Sequence, residues 1–433
     1  MRVLIVTHYF PPEAGAPQAR LSALAAIWAA DGDEVTVLTG MPNHPTGVLP
    51  PAYRRAVFRR EVLDGYRVVR TWLYATPNEG VARKTLGHLS FMASSVLLGW
   101  RAVGPADVVV VSSPTFFSIL SGWLLARLKR ARFVVEVRDL WPAIFVELGV
   151  LTNRRIIALL ERLELAAYAA ADQVVVVSEG FRADLIRRGV PPEKVHTIRN
   201  GVDAGRFASV AGADLGSLRA RLGAGRDDCL VLYAGTHGIS QALPAIADAA
   251  ALLEEPSERD RWAGAPAVRF AFVGDGADKR RLERRVAELG LRNVVLQPGV
   301  PNLEMPGLLA AADICLVPLR GVPLFATFIP SKMFEYLAAG KAVVGSVTGE
   351  AAQILTEAGA VVVPPGHSGS LAAAIADLAV SPERRAAMGR AGRAFVERCY
   401  DRAALAREYR KILDLAVVSR RDDLPCRARK ARG

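Results

Sequence analysis

The chain reads as an α/β protein of two Rossmann-like domains that face each other across a cleft. Three observations lead there. Strand-like and helix-like patches alternate almost throughout, as in parallel α/β layers. The first series of patches stops at Arg199-Asn200-Gly201-Val202-Asp203, and a second begins after a polar, Ala/Gly-rich stretch. The length of 433 residues accommodates two or three domains, and 51% hydrophobic with 23% charged residues marks a globular chain.

In the first series, residues 3–7, 34–38, 108–112, 133–137 and 174–177 are apolar runs of strand length. Helical patterns at 18–30, 81–103, 115–128 and 154–170 separate them. Asp64-Gly65 between two β-rich flanks predicts a hairpin turn. In the second series the strands fall at 230–234, 269–273, 294–297, 314–317, 342–345 and 360–363. The expected division is residues 1–201, 202–385, a helical segment 386–416 packing back on the first domain, and a basic, disordered tail 417–433. In paired domains of this kind, strand C-termini from both converge on the cleft, where ligands bind.

The formal net charge is +12, and the excess is spread over both halves. Arg54, Arg55, Arg59, Arg60, Arg67, Arg70, Arg83 and Lys84 crowd one region. Such a surface suits nucleic acid, anionic lipid or a phosphorylated substrate. No aromatic-interleaved basic strand is present, which ranks nucleic acid last. The four cysteines are scattered and form no CxxC pair, against a disulfide framework or zinc site and in favour of a reducing compartment. The opening apolar run is too short for a signal peptide, so none is expected. The apolar stretch 86–100 falls short of the ~20 residues a spanning helix needs. With 116–125 it carries Trp100 and Trp123 between basic flanks, which fits either docking on a bilayer or burial as crossover helices.

Pro330-Ser331-Lys332-Met333-Phe334-Glu335-Tyr336-Leu337 is the most informative segment. It sits where a loop should become a helix, with proline in the first turn. Free amides of Ser331 and Lys332 and the Lys332 charge suit a diphosphate, and Glu335, one turn on, suits sugar hydroxyls. A capped helix with a solvated Lys and Glu is the alternative.

Other candidates follow strands. Gly15, in the loop after the first strand, allows close backbone approach to a ligand. His44 lies in the loop after the second strand and is a candidate base or an ordinary hydrogen-bonded histidine. Asp139, in Arg138-Asp139-Leu140-Trp141-Pro142, either orients an acceptor hydroxyl or caps the next helix. Gly235-Thr236-His237 follows the first strand of the second series, where small residues let a diphosphate approach, and Gly299-Val300 offers backbone groups to a flat base. No metal is expected: Asp31-Gly32-Asp33 has DxD spacing but reads as a turn.

In order and spacing, Phe10-Pro11-Pro12-Glu13, Arg138 to Pro142, Val177-Ser178-Glu179, Asn200-Gly201-Val202-Asp203, Phe272 to Gly276 and Pro330 to Glu335 together resemble retaining glycosyltransferase family four, of GT-B fold. The resemblance covers about residues 1 to 415 and is greatest to bacterial fucosamine-transferase-type enzymes of O-antigen, capsule or exopolysaccharide assembly. It implies a nucleotide-sugar donor held by the second domain and a lipid-linked saccharide acceptor held by the first; the donor expected is a UDP-sugar. It implies that Glu335 binds ribose and that Ser331 and Lys332 hold the diphosphate; with those amides and that charge in place of a metal, no metal cofactor is expected. Where the family pattern has a further glutamate, this chain has Thr327, and the usual basic pair is missing from the loop 235–241. The expected enzyme is cytoplasmic and peripheral on the inner face of an anionic membrane. A UDP-sugar 2-epimerase and a non-catalytic scaffold in a polysaccharide assembly complex are the rival readings.

Overall fold

The computed structural model describes residues 1–13, 15–44, 46–77, 81–113, 116–208, 214–254 and 266–422. The chain divides into two compact units, one of residues 1–199 with 403 onward and one of residues 200–402.

The first unit is built on an eight-stranded sheet of order β3-β4-β2-β1-β5-β6-β7-β8. Its strands are β1 (Arg2–Val6), β2 (Glu34–Gly40), β3 (Phe58–Leu63), β4 (Tyr66–Thr71), β5 (Val108–Ser112), β6 (Arg132–Val137), β7 (Gln173–Val176) and β8 (Val195–Thr197). All neighbours are parallel except β3 and β4, which form the hairpin predicted at Asp64-Gly65. Both turn residues adopt positive φ, 42° and 85°, as a two-residue turn between twisted strands requires. The central strands are buried on both faces, which is why they read as continuous Val/Ile/Leu runs.

The second unit carries a six-stranded, all-parallel sheet of order β11-β10-β9-β12-β13-β14. Its strands are β9 (Cys229–Ala234), β10 (Val268–Val273), β11 (Val294–Gln297), β12 (Ile314–Pro318), β13 (Ala342–Ser346) and β14 (Val361–Val363). Its core joins Val231, Tyr233, Phe270 and Phe272 to helix residues Leu243, Ile246 and Leu282.

Three expectations need correction. The helix Pro382–Cys399 does not return to the first unit; it packs inside the second, where Gly389 and Gly392 bring it close to Gly340 and Leu337. Only the final helix, Arg402–Asp422, belongs to the first unit, from residue 403 on. Residues 417–422 are therefore helical, and the remainder of the expected disordered tail lies outside the described residues. The pattern at 81–103 is divided into Val81–Leu97 and Gly99–Ala102, where Gly99 lies against Leu38.

The final helix is tied to the first unit at several points. The Trp28 indole N–H donates to the Ala406 carbonyl at 2.9 Å, and its ring meets Tyr409 edge-on at 5.4 Å. Arg407 pairs with Asp31 at 3.0 Å, and Arg410 pairs with Asp33, which also accepts from the Met1 ammonium at 2.8 Å. The DxD spacing is thus a turn whose two carboxylates hold the chain's first residue and last helix.

Candidate active site

Parallel strands end together, so the loops that follow them share one edge of each sheet. In the second unit, four segments meet at that edge. Gly235 follows β9 and Gly274 follows β10, while Gly299 comes after β11. The helix Lys332–Ala338 follows β12 through a loop and a short 3₁₀ turn, Pro323–Thr327. Backbone bonds lace the loops together. Gly235 N–H donates to Val273 O at 2.9 Å, His237 N–H to Asp275 O at 2.9 Å, and Asp278 N–H to His237 O at 2.9 Å. Gly274 has φ +155°, and a Cβ there would lie 1.9 Å from the Gly235 carbonyl oxygen. A Cβ on Gly276 would meet the His237 carbonyl oxygen at 2.4 Å. These glycines allow two loops to stack backbone on backbone.

Lys332 reaches into this corner. Its ammonium donates to the Tyr233 hydroxyl and lies 3.7 Å from the centre of that ring. A Cβ on Gly235 would sit 2.9 Å from Nζ, so glycine leaves the lysine tip clear on the loop side. Loss of water pulls the Lys332 pKa down to about 7, against the opposing pull of Glu335. Met333 N–H donates to Pro330 O at 3.1 Å and Phe334 N–H to Ser331 O at 3.2 Å, so the Ser331 and Lys332 amides precede the first helical bonds. Pro330 stands just outside the helix, not in its first turn as expected, and Ser331 takes the N-cap place without a side-chain cap bond. The Ser331 hydroxyl instead accepts from Asn200 at 3.0 Å.

Glu335 is half-buried, and no group donates to its carboxylate among the described residues. Burial raises its pKa, opposed by Arg206, Arg402 and Lys332. A carboxylate held between cations with unfilled acceptor capacity can take hydroxyl donors.

Three further residues named from sequence lie at the same sheet edge. The His237 ring is fully buried, with both nitrogens unpartnered and its pKa pushed down to about 4 by burial and then by Lys279 and Lys332. Its ring packs 5.8 Å from that of Tyr233. The Gly299 amide is already committed to Asp275 at 2.8 Å, so only its carbonyl and the neighbouring Val300 backbone are free of that bond. Thr236 is exposed, and its carbonyl accepts from the Tyr233 hydroxyl at 2.6 Å.

In the first unit, the loops after β1 and β2 are joined by Glu13. This buried carboxylate accepts from Phe10 N–H at 2.9 Å, Asn43 N–H at 2.7 Å and His44 N–H at 2.7 Å. His44 is thereby held by its backbone, with an exposed ring 5.2 Å from Tyr9 and a pKa lowered by partial desolvation and Lys84. Gly15 is the exposed N-cap of the helix Ala16–Ala30, where a Cβ would meet the Gln18 amide oxygen at 2.4 Å.

Asp139 follows β6 and is half-buried. The next helix, Ala143–Glu147, has Pro142 at its N-cap with no side-chain cap, so Asp139 is not that cap. Burial raises its pKa, and Arg138 opposes the rise. Beneath it Glu136 is wholly buried, accepting from Arg20 at 2.9 Å and Ser112 at 2.6 Å. Arg20 also donates to the carbonyls of Ile198 and Arg199. This network escaped sequence reading because Arg20 lies 116 positions from Glu136 and still further from the two carbonyls it meets. Among the described residues, no group of three or more His, Cys, Asp or Glu side chains is placed to hold a metal ion.

Glycine-laced loops and a lysine at a helix start thus share the strand C-terminal edge of a parallel sheet, the edge where two-domain α/β enzymes of the Rossmann type place their sites. Residues 15–201 match the glycosyl transferase 4-like domain, and residues 229–380 match the glycosyl transferases group 1. The chain belongs to this glycosyltransferase family, and its fold is GT-B. It is 29% identical over 424 residues to WcaI of Escherichia coli K12, named as a glycosyl transferase of colanic acid biosynthesis, covering 94% of this chain and 98% of that one. A D-inositol 3-phosphate glycosyltransferase of Kineococcus radiotolerans is 28% identical, with 87% and 85% covered. Among solved structures, Anabaena HepE in complex with UDP and glucose superposes with a TM-score of 0.70 at 18% identity, covering 96% and 100%. Sucrose-phosphate synthase of Thermosynechococcus elongatus gives 0.71 at 20%, covering 96% and 99%.

Proposed function

We propose that this glycosyltransferase moves a sugar from a UDP-sugar to a lipid-linked saccharide in cell-surface polysaccharide biosynthesis, with retention of configuration. The observation that carries the donor side is Lys332, held by Tyr233 beside Gly235 at the head of a helix that presents Glu335 one turn later. The relatives support the pathway class: WcaI is named for colanic acid biosynthesis, and the structurally similar WaaG for lipopolysaccharide biosynthesis. The HepE complexes with UDP, and with UDP-glucose, support the nucleotide.

In this reading Lys332 and the Ser331 and Lys332 amides bind the diphosphate, and Glu335 accepts from the ribose hydroxyls. The bond between the sugar's anomeric carbon and the diphosphate oxygen breaks as the acceptor oxygen bonds to that carbon. The acceptor's proton passes to the departing diphosphate, whose charge is stabilised by Lys332. Asp139 orients the acceptor hydroxyl. Phosphate charge is met by protein groups, so activity is expected to survive EDTA; loss with EDTA and recovery with Mg²⁺ or Mn²⁺ would contradict this assignment.

Association with an anionic membrane surface is part of the same proposal. The helix Val81–Leu97 buries Phe91 but leaves Leu86 and Leu97 more than half exposed, beside exposed Arg83 and Lys84. Arg101 and Lys129 lie over the Trp100 ring at 5.0 and 5.8 Å. No described helix is long and apolar enough to cross a membrane.

The deciding experiment is calorimetric titration with UDP and with GDP, followed by incubation with UDP-sugars and a membrane lipid extract. Binding of UDP and labelled product only when lipid is added supports the proposal. Conversion of UDP-sugar without lipid would favour an epimerase, and absence of binding to either nucleotide would favour a scaffold.

A further inference from the structure

We infer that the Tyr233 hydroxyl is the positioning group that fixes Lys332 for the donor diphosphate, an inference that rests on the donor-site reading above. Tyr233 is the fifth residue of β9 and is 1% exposed. Its ring is set between Phe272, at 6.4 Å, and His237, at 5.8 Å. The hydroxyl has one proton, and it goes to the Thr236 carbonyl at 2.6 Å. The lone pairs are left facing Lys332, so the hydrogen-bond chain has one direction: lysine to tyrosine to loop carbonyl. Tyr233 does not need Lys332 for satisfaction, because Thr236 already provides a partner.

The lysine does need the tyrosine. An ammonium on a four-carbon stem samples many rotamers and loses that freedom when it grips a ligand. Here one ring holds it twice, by the hydroxyl and by the ring face at 3.7 Å. Gly235 has no side chain to crowd Nζ, where a Cβ would stand 2.9 Å away. A second tyrosine fixes the helix rather than the lysine. The Tyr336 hydroxyl donates to Ala234 O at 2.9 Å and accepts from Ala234 N–H at 3.0 Å, stapling the Lys332 helix to the end of β9. The pair therefore divides the work: Tyr336 sets where the helix starts, and Tyr233 sets where the charge points.

The test is a double-mutant cycle read by UDP calorimetry at pH 7, with melting temperature as the folding control. Tyr233→Phe keeps the ring and removes the hydroxyl. It should weaken UDP binding roughly tenfold in the native background and less than about twofold when Lys332 is already Met. Equal losses in both backgrounds would make Tyr233 a scaffold residue only and overturn the inference. Unchanged affinity in Tyr233→Phe would overturn it as well. If Lys332→Met itself leaves UDP affinity unchanged, the donor-site reading falls and takes the inference with it. A further variant keeps the inference testable should Tyr233→Phe fold poorly. Lys332→Arg retains the charge on a planar fork that the Tyr233 hydroxyl and ring face cannot hold in the same way, so it should recover only a minor part of the affinity. Full recovery by arginine would show that charge without positioning suffices.

Discussion

Lys332 carries two opposite pH dependences. Its pKa is lowered from 10.5 to about 7, so between those values the unfolded chain binds a proton that the folded one lacks. Stability contributed by this group therefore rises with pH through that window. Donor binding runs the other way, because a diphosphate prefers the ammonium. Affinity for UDP-glucose, whose diphosphate does not titrate there, should be greatest below about pH 7 and fall toward about pH 9, and Lys332→Met should flatten the profile. Calorimetry across that range checks it; a flat native profile contradicts the role. Glu335→Ala should weaken UDP binding by roughly 1.5–3 kcal/mol, the range for hydrogen bonds to a charged group, with the fold intact. In the first unit, Asp139→Asn should lower turnover by roughly 10²–10⁴-fold while UDP affinity barely moves. Near-normal turnover would remove Asp139 from the orientation of the acceptor hydroxyl.

Among the elements, the glycine loops and the apolar helices make separate predictions. Gly274→Ala puts a methyl where the Gly235 carbonyl already stands, in a backbone conformation that favours glycine. A cost of roughly 2–3 kcal/mol in urea unfolding and loss of UDP binding are expected, since the two loops can no longer stack. The exposed leucines of Val81–Leu97, with the basic side chains beside them, should bring the protein down with anionic vesicles in sedimentation, less so as salt rises. Leu86→Ser with Leu97→Ser should reduce that binding. Failure of the native protein to bind at low salt would assign those leucines to the fold alone.

At the scale of the whole molecule, the chain leaves the first unit near residue 199 and returns to it at 403. The returning helix covers Trp28 and joins Ala406, Tyr409, Ile412 and Leu413 to the core of Leu21, Leu24 and Val35. Trp28→Ala should therefore destabilise the first unit by roughly 3–5 kcal/mol. A chain ending at residue 401 should melt lower and expose more apolar surface to a hydrophobic dye. Unchanged melting would show that the helix is dispensable.

Most of the framework is legible in the residues themselves. Parallel central strands are buried on both faces, so their apolar runs stand out, and the turn at Asp64-Gly65 follows from the few residues that tolerate positive φ. The three-residue strand β8 gave no such signal, because a run that short has no period to read. The Lys332–Glu335 pair was visible as a helix start with a charge and a carboxylate one turn apart. Its surroundings were not. Tyr233 lies 99 positions before Lys332, Glu13 joins two loops 30 positions apart, and Arg20 meets Glu136 across 116. That the ring of His237, a donor-site candidate in the sequence, is wholly buried was equally hidden. Local periodicity determines which residues form strands and helices, because each element satisfies its own backbone and apolar face. Which distant side chain fixes a charge, and which is walled in, depends on how the loops stack once the strands are aligned, and only the tertiary structure decides that.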